Sequence, residues 1–250
     1  MIALITGATA GIGRATALKL AEAGYELILT GRRKERLEEL QDTIALKFGR
    51  RALILCFDIR DRAETERCLG NLPIAWKNVE VLINNAGLAA GLAPFHEGNV
   101  DDWEQMIDTN VKGVLYATRC ISPGMVERNK GHIINISSTA GKEVYPNGNV
   151  YCASKFAVDA LNKSMRIDLV NYGIKVTSIN PGMLESEFSL VRFKGDEERA
   201  NKVYEGFAAL QPEDVAEAIQ FVLSRPTHVC IDELHIKPTA QASSRDLKRG

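Results

Sequence analysis

Short apolar runs alternate with longer stretches of helical periodicity along the chain. The apolar runs are rich in Val, Ile and Leu and lie at residues 2–6, 26–30, 52–57, 79–84, 131–137, 174–180 and 233–237. Their near-continuous hydrophobicity is typical of strands buried on both faces of a sheet. Helical patterns lie between them, at residues 12–23, 33–47, 61–70, 101–128, 151–172 and 213–224. This alternation predicts a Rossmann-type, doubly wound α/β fold, with a mainly parallel seven-stranded sheet and helices on both faces.

Two features interrupt this regular pattern. The long helical stretch 101–128 contains Pro123 and Gly124, where we expect a kink or a break because proline removes a helical hydrogen bond. Residues 183–211, called the lid segment below, are polar, carry several aromatic residues and follow the sixth strand. Ligands of open α/β sheets bind at the carboxyl ends of the strands, so this segment is predicted to be a mobile substrate lid. A surface insertion without function is the alternative.

No linker, repeat or low-complexity segment divides the chain, so residues 1–250 are predicted to form a single domain. The polar tail at residues 243–250 is expected to be disordered.

The composition is that of an ordinary globular protein. Charged residues make up 25% of the chain and the formal net charge is -1, so neither nucleic acid nor a membrane surface is expected as a partner. No apolar run reaches the roughly 20 residues that span a bilayer. Met1 leads directly into the first strand without a leader, and we therefore expect a cytoplasmic protein. The five scattered cysteines and four histidines predict no disulfide framework and no metal site.

A glycine-rich turn, Thr6-Gly7-Ala8-Thr9-Ala10-Gly11-Ile12-Gly13, joins the first predicted strand to the first helix. Glycines allow a tight turn and a close approach of the backbone to a pyrophosphate, and the helix N-terminus offers free N–H groups to the anion. The position between a strand and a helix distinguishes this turn from a chance cluster of glycines. The residues expected to bind a dinucleotide here are Gly7, Thr9, Gly11, Ile12 and Gly13.

The end of the second strand favours NADP over NAD. In NAD-binding folds an acidic residue at this point receives the ribose 2′-hydroxyl, whereas this strand is followed by Arg32 and Arg33. Two guanidinium groups are suited to bind a 2′-phosphate through charge-assisted hydrogen bonds. A pair of solvated charges is the alternative, but cations at the start of a helix oppose its dipole.

Two further strand ends point toward the same crevice. Asp58 and Ile59 follow the third strand, and Asn85, Ala86 and Gly87 follow the fourth. We expect Asp58 to accept a hydrogen bond from the adenine amino group, and the small residues after the fourth strand to let the cofactor ribose lie close.

Tyr151 and Lys155 stand four residues apart at the start of a predicted helix, so both side chains lie on one helix face. A tyrosine that acts as a base near neutrality needs its pKa lowered by about 3 units from ~10, or about 4 kcal/mol, and a nearby cation helps to provide this. The pair alone is indistinguishable from an ordinary exposed helix pair.

Further motifs accompany this pair. They are Asn84-Asn85-Ala86-Gly87, Asn110 within Thr109-Asn110-Val111-Lys112-Gly113, Asn135-Ile136-Ser137-Ser138 and Asn180-Pro181-Gly182. With the glycine turn and Tyr151/Lys155, in this order, the chain closely resembles the short-chain dehydrogenase/reductases over nearly its whole length. Several independent motifs at compatible spacing make this resemblance specific.

The resemblance implies an NADP-dependent oxidoreductase that acts on CH–OH groups of a small-molecule substrate. Tyr151 would exchange a proton with the substrate oxygen, and Lys155 would lower the pKa of Tyr151 and bind the nicotinamide ribose. Ser138, chosen over Ser137 and Thr139 by its spacing to Tyr151, would bind the reacting oxygen. Asn110 would hold a water of a proton relay. The residues implied to flank the nicotinamide are Pro181, Gly182 and Met183.

Three segments in the last third of the chain resemble one subgroup of this family. Glu187-Phe188-Ser189-Leu190-Val191-Arg192-Phe193-Lys194-Gly195-Asp196, Pro212-Glu213-Asp214-Val215 and Lys237-Pro238-Thr239 are similar to NADP-dependent serine and 3-hydroxy acid dehydrogenases. That subgroup oxidises L-serine, L-allo-threonine and 3-hydroxyisobutyrate, or reduces malonic semialdehyde. A substrate carboxylate needs a cation, and Arg192 or Lys194 is the expected donor unless both are solvated charges.

Other functions remain open at this point. The same catalytic group serves the reduction of 3-oxoacyl thioesters or uncharged ketones. A non-catalytic NADP-binding sensor or scaffold is a further alternative, although Tyr151, Lys155 and Ser138 occur together. The family resemblance also implies a homotetramer, in which helices 101–128 and 151–172 pack between subunits.

Overall fold

All seven predicted strands form in the computed structural model, which describes residues 1–250. Each lies within two residues of its predicted bounds: β1 (Ile2–Ile5), β2 (Glu26–Gly31), β3 (Ala52–Cys56), β4 (Val79–Asn84), β5 (Gly131–Ile136), β6 (Ile174–Pro181) and β7 (Glu233–Ile236). They pair in the order β3-β2-β1-β4-β5-β6-β7, and every pairing is parallel. The doubly wound Rossmann-type prediction is therefore confirmed, with a sheet that is wholly rather than mainly parallel.

Nine α-helices accompany the sheet: α1 (Gly11–Glu22), α2 (Lys34–Phe48), α3 (Arg62–Gly70), α4 (Val100–Ile107), α5 (Gly113–Arg128), α6 (Asn149–Leu169), α7 (Glu187–Arg192), α8 (Glu197–Lys202) and α9 (Pro212–Leu223). Several begin where the sequence supplies a capping side chain. Asp61 accepts a hydrogen bond from the Glu64 amide at the start of α3, and Asn99 does the same for Asp102 at the start of α4. None of these helices is both long and apolar enough to cross a membrane.

The two faces of the sheet bury separate apolar clusters. On one face, side chains of α1, α2 and α9 such as Leu20, Leu40 and Ile219 cover β1, β2, β4 and β5. On the other face, α5 contributes residues such as Ile121 and Met125. Because the five central strands β2, β1, β4, β5 and β6 are covered on both sides, their residues are apolar in succession rather than in alternation, which made them recognisable from the sequence.

We predicted a kink or a break at Pro123, and the break is wrong. Helix α5 runs through Pro123, and the interruption lies earlier, in a π-helical turn at Asp108–Lys112 between α4 and α5. Proline removes one N–H, so only the carbonyl of Arg119 loses its helical partner, and Arg119 is exposed to water that can replace it. The π-helical turn instead carries Asn110, and such turns are frequent at functional sites.

The lid segment contains two short helices, α7 and α8, and crosses the carboxyl end of the sheet. The expected disorder of the tail is not observed. The Lys248 amide donates to the Ala240 carbonyl at 2.9 Å, the Gly250 amide donates to the Gly206 carbonyl at 2.7 Å, and the Arg249 side chain donates to the Val203 carbonyl at 3.0 Å. The polar tail is ordered because its donors find carbonyl groups of the lid segment and of the chain after β7.

Candidate active site

A cavity of about 570 Å³ opens at the carboxyl ends of the strands, between the glycine turn and the lid segment. Its volume lies within the range of small-molecule and cofactor pockets. All the predicted site residues line it except Gly13, Asn110 and Lys194, the alternative to Arg192. The residues that do line it are Gly7, Thr9, Gly11, Ile12, Arg32, Arg33, Asp58, Ile59, Asn85, Ala86, Gly87, Ser138, Tyr151, Lys155, Pro181, Gly182, Met183 and Arg192.

The glycine turn requires its glycines for two different reasons. Gly7 and Gly11 have positive φ angles of 69° and 50°, which side chains other than glycine rarely adopt. Gly13 does not face the cavity. A Cβ atom there would lie 2.5 Å from the Asn85 side-chain nitrogen and closer still to the Gly7 carbonyl oxygen. Gly13 therefore lets the turn close on α1, and the prediction that it contacts the cofactor has no support from this geometry.

Asn85 fixes the glycine turn to the end of β4. Its Nδ2 donates to the carbonyl oxygens of Thr6 at 2.9 Å and Gly7 at 3.1 Å, and its main-chain amide donates to the Thr6 hydroxyl at 3.0 Å. The two strand ends that flank the point where the strand order reverses are thereby held in one geometry, and a dinucleotide binds at this point in folds of this type.

An arginine cluster lies at the end of β2. Arg33 donates from Nε and Nη2 to the Thr9 hydroxyl, at 3.2 and 2.9 Å, and from Nη1 to a Glu187 oxygen at 2.8 Å. Arg36, which the sequence did not single out, donates to the other Glu187 oxygen at 2.6 Å. The Arg32 guanidinium stands 3.7 Å from Asp58. Together these cations form a site suited to an anion beside the glycine turn.

Asp58 carries a charge that Arg60 stabilises. Burial disfavours the carboxylate, but bidentate hydrogen bonds from Arg60, at 2.7–3.1 Å, hold the pKa of Asp58 below its ordinary value. The side chain lines the cavity, so it is placed to accept a further hydrogen bond. Its role toward adenine stays a prediction.

The side chains predicted to be catalytic come from two parts of the chain that meet at the cavity. Tyr151 and Lys155 lie on the first turns of α6, with residue exposures of only 8% and 6%. Lys155 donates to the Ile136 carbonyl at 2.9 Å. Ser138 follows β5, and its hydroxyl accepts a hydrogen bond from the Ala140 amide at 3.1 Å. The structure therefore brings Tyr151, Lys155 and Ser138 to the wall of one cavity.

Burial shifts the pKa values of both Tyr151 and Lys155. It lowers the pKa of Lys155 to about 8. It raises the pKa of Tyr151, and the nearby Tyr145 acts in the same direction, whereas the Ser138 hydroxyl and the Arg192 charge oppose the rise. The Tyr151 phenol is consequently protonated at neutral pH in the free protein, which suits a group that donates a proton.

Asn110 is buried behind the cavity wall. Its Oδ1 accepts from the Leu88 amide, and its Nδ2 donates to the Leu88 carbonyl, both at 2.8 Å. Nδ2 also donates to the Ser154 hydroxyl at 3.0 Å, which ties the chain after β4 to α6. These side-chain contacts are with protein groups, so the predicted water-holding role of Asn110 stays a prediction.

The two cations proposed to bind the substrate carboxylate differ in their position relative to the cavity. The Arg192 guanidinium lines the cavity, lies 5.5 Å from the Tyr145 ring centre and 5.6 Å from that of Tyr151, and donates to the Gly91 carbonyl at 3.2 Å. Lys194 instead pairs with Asp102 at 2.9 Å and does not line the cavity. Of the two candidates, only Arg192 therefore lies beside Tyr151 in the cavity.

Sequence reasoning missed three residues, each of which contacts a predicted site residue. The Phe188 ring packs edge-on against Tyr151 with centres 5.6 Å apart, and Tyr145 lies beneath Arg192. Gln241, just before the tail, accepts a hydrogen bond from the Met183 amide at 2.8 Å. The nearness of Tyr145 to Tyr151 in the sequence was a usable signal, whereas nothing in the sequence around Gln241 pointed to it.

The chain combines a parallel sheet, a glycine turn after β1, an arginine cluster after β2, and Ser138, Tyr151 and Lys155 at the wall of one cavity. These features define a dinucleotide-dependent enzyme of the Rossmann type. Residues 1–196 match the family model of the short chain dehydrogenases, and the chain belongs to this family.

Curated relatives and solved structures agree with this assignment. The chain is 49% identical over 243 residues to the NADP-dependent 3-hydroxy acid dehydrogenase YdfG of Salmonella typhi, covering 97% of this chain and 96% of the relative. It is 43% identical over 244 residues to sulfoacetaldehyde reductase 2 of Chromohalobacter salexigens, covering 97% and 96%. It resembles the closed form of a serine dehydrogenase complexed with NADP+, with a TM-score of 0.93, 48% identity and coverage of 98% and 97%.

Proposed function

We propose that this chain is an NADP-dependent oxidoreductase that transfers a hydride between nicotinamide and the 3-hydroxyl or carbonyl carbon of a small 3-hydroxy acid. The observation that carries the proposal is the Arg192 guanidinium, a cation that stacks beside the Tyr151 ring within the cavity. It would bind a substrate carboxylate a short distance from the reacting oxygen. The names of the relatives, a 3-hydroxy acid dehydrogenase and a serine dehydrogenase, support the same substrate class.

The residues present fit the cofactor. The backbone of the glycine turn approaches the cavity without side chains at Gly7 and Gly11, which leaves room for a pyrophosphate. Arg32 and Arg33 would hold the 2′-phosphate, Asp58 and Ile59 would flank the adenine, and Pro181–Met183 would flank the nicotinamide. When bound, NADPH supplies the hydride for carbonyl reduction, and NADP+ accepts one in the reverse direction.

The chain's own groups supply the proton and the electrostatic support. Tyr151, protonated because burial raises its pKa, would donate its phenolic proton to the carbonyl oxygen as that oxygen gains negative charge. The Ser138 hydroxyl would donate a hydrogen bond to the same oxygen. Lys155, whose pKa is near 8, is mainly a cation at pH 7 and would stabilise the phenolate that remains.

The lid segment would exclude water from this reaction. It supplies Arg192 and Phe188 to the cavity, and both contact the catalytic tyrosine. We therefore regard residues 1–250 as one domain in which residues 183–211 serve as the substrate lid.

The test is the absorbance of NADPH when the purified protein is mixed with NADP or NAD and with L-serine, L-allo-threonine, 3-hydroxyisobutyrate or a simple secondary alcohol. Reduction of malonic semialdehyde and of sulfoacetaldehyde is measured in parallel, since a guanidinium can donate hydrogen bonds to a carboxylate or a sulfonate. Turnover of the hydroxy acids with NADP supports the proposal. Turnover of the uncharged alcohol alone would retain the mechanism and reject the substrate class.

A matched pair of variants tests the substrate contact. Arg192→Met is expected to raise KM for 3-hydroxyisobutyrate at least tenfold, because a charge-assisted hydrogen bond to a carboxylate contributes about 1.5–3 kcal/mol. Lys194→Met, which removes a cation outside the cavity, should change it by less than twofold. Equal effects of the two substitutions on KM would contradict the assignment of Arg192 to the substrate site.

We further propose a cytoplasmic homotetramer. Exposed apolar side chains on α5 and α6, including Leu115, Phe156 and Ile167, offer surfaces for packing between subunits. All five cysteines are free, as expected in a reducing compartment. Analytical ultracentrifugation at several protein concentrations tests the tetramer, and a monomer throughout would refute it.

A further inference from the structure

The first residue of α7 contacts the arginine cluster that the proposed function assigns to the 2′-phosphate. Glu187 accepts hydrogen bonds from Arg33 on one carboxylate oxygen and from Arg36 on the other, at 2.8 and 2.6 Å. These contacts join residues more than 150 positions apart in sequence and connect the lid segment directly to the start of α2. Hydrogen bonds from Arg33 and Arg36 lower the pKa of Glu187 despite partial burial, so the group is an anion at neutral pH.

Arg33 also contacts the glycine turn through Thr9. A guanidinium has five N–H donors, and Arg33 directs one toward Glu187 and two toward the Thr9 hydroxyl. The remaining donors are free for a phosphate. The same side chain can therefore bind the cofactor phosphate, the glycine turn and the lid segment, and it is the group through which these three parts affect one another.

We propose that Glu187 is a positioning residue that couples the cofactor's 2′-phosphate to the lid segment by holding α7 against α2 through Arg33 and Arg36. The inference rests on the proposed NADP specificity. A bound 2′-phosphate would compete with Glu187 for Arg33 and so weaken the contact that holds α7, whereas NAD leaves Arg33 to Glu187 and Thr9. Cofactor identity should therefore influence how firmly the lid segment covers the substrate, beyond its effect on cofactor affinity.

The Glu187 carboxylate in turn opposes binding of the phosphate, because coupling between two groups is reciprocal. It lies beside the same cations that would bind the phosphate, and two anions that share these cations repel each other. Removing the charge of Glu187 should therefore strengthen phosphate binding while it weakens the attachment of the lid segment. A purely structural residue would weaken both, so the opposite signs identify the coupling.

Glu187→Gln is the test substitution, and Glu197→Gln is its control, because Glu197 is an exposed acidic residue of α8 that forms no ion pair. Binding of adenosine 2′,5′-bisphosphate and of 5′-AMP is measured by calorimetry, without any turnover. In Glu187→Gln we expect Kd for the bisphosphate to fall by about fivefold, the upper range for an exposed charge pair. Kd for 5′-AMP, which lacks the 2′-phosphate, should change less than twofold.

Attachment of the lid segment is measured by hydrogen exchange at the Phe193–Gly195 amides, which hydrogen-bond back into α7, with the bisphosphate bound. Exchange should be several times faster in Glu187→Gln than in wild type or Glu197→Gln. Weaker bisphosphate binding in Glu187→Gln, or unchanged lid exchange, would overturn the coupling. If the wild-type protein does not bind the bisphosphate more tightly than 5′-AMP, the NADP proposal itself fails, which is a distinct result.

Discussion

His132 is expected to make the fold sensitive to mild acid. It lies on β5 with only 6% of its surface exposed, and its Nε2 is 2.8 Å from the Thr177 hydroxyl. That hydroxyl donates its own proton to the Ile231 carbonyl at 2.6 Å, so Nε2 of the ring must carry a proton and donate it to Thr177. Burial, with Lys175 nearby, lowers the pKa of His132 to about 4.

The sign and size of the effect follow from linkage. The unfolded chain protonates this histidine below a pKa near 6.5, whereas the native state does so only near 4. Stability is therefore fully present above pH 6.5 and is lost as the pH falls between these values. Between pH 7.5 and 5 the loss is about 2 kcal/mol, and its limit below pH 4 is about 3 kcal/mol at 1.36 kcal/mol per unit.

Chemical denaturation at constant protein concentration, at several pH values from 5 to 7.5, measures this loss. His132→Gln removes the titrating ring and should flatten the curve across this range, whatever its own stability at pH 7.5. His96→Gln is the control, since His96 is largely exposed, and it should retain the wild-type slope. Parallel curves for wild type and His132→Gln would refute the assignment of the acid sensitivity to this residue.

Three further predictions concern the site. Tyr151→Phe should lower the rate of carbonyl reduction by about 10²- to 10⁴-fold, the usual contribution of a general acid. The affinity for NADPH, measured by fluorescence, should stay within threefold of wild type. Turnover comparable to that of wild type would contradict the proton-transfer role of Tyr151. Gly13→Ala should destabilise the fold by about 1–3 kcal/mol through overlap with the glycine turn and weaken NADPH binding. Gly70→Ala, where a Cβ meets no atom within 4 Å, should do neither, and equal melting temperatures for the two variants would contradict the packing argument. Because the pKa of Lys155 is about 8, kcat/KM for NADPH should decline above that pH as the cation is lost. A profile that stays flat to pH 10 would show that the charge of Lys155 is not needed.

The seven strands and their parallel pairing were predictable because they follow from the chain's own local pattern. Buried strands such as β5 and β6 are continuous apolar runs, and parallel strands need helical crossovers between them. The glycine turn, Ser138 and the Tyr151/Lys155 pair were recognisable because each occupies a fixed position relative to a strand end or a helix start. Their assembly at one cavity follows from the shared direction of the strands.

Long-range pairings were not predictable from local pattern. Nothing near Arg33 indicates that its partner is Glu187, and nothing near Lys194 indicates that Asp102 neutralises it. The continuity of α5 through Pro123 depends on solvent access to one carbonyl group, which requires the tertiary structure. Tail order depends on carbonyl groups of the lid segment that only the folded chain presents.

The position of the tail has a practical consequence for handling the protein. Arg249 and Gly250 donate hydrogen bonds to carbonyl groups within residues 203–206. Gln241, just before the tail, accepts a hydrogen bond from the Met183 amide beside the cavity. A purification tag or fusion partner attached after Gly250 would start at the edge of the lid segment and compete with these contacts. Met1 is 63% exposed and precedes β1 at the opposite, amino end of the strands. Tags for kinetic work therefore belong before Met1, and a comparison of the two placements would report how much the tail contributes to turnover.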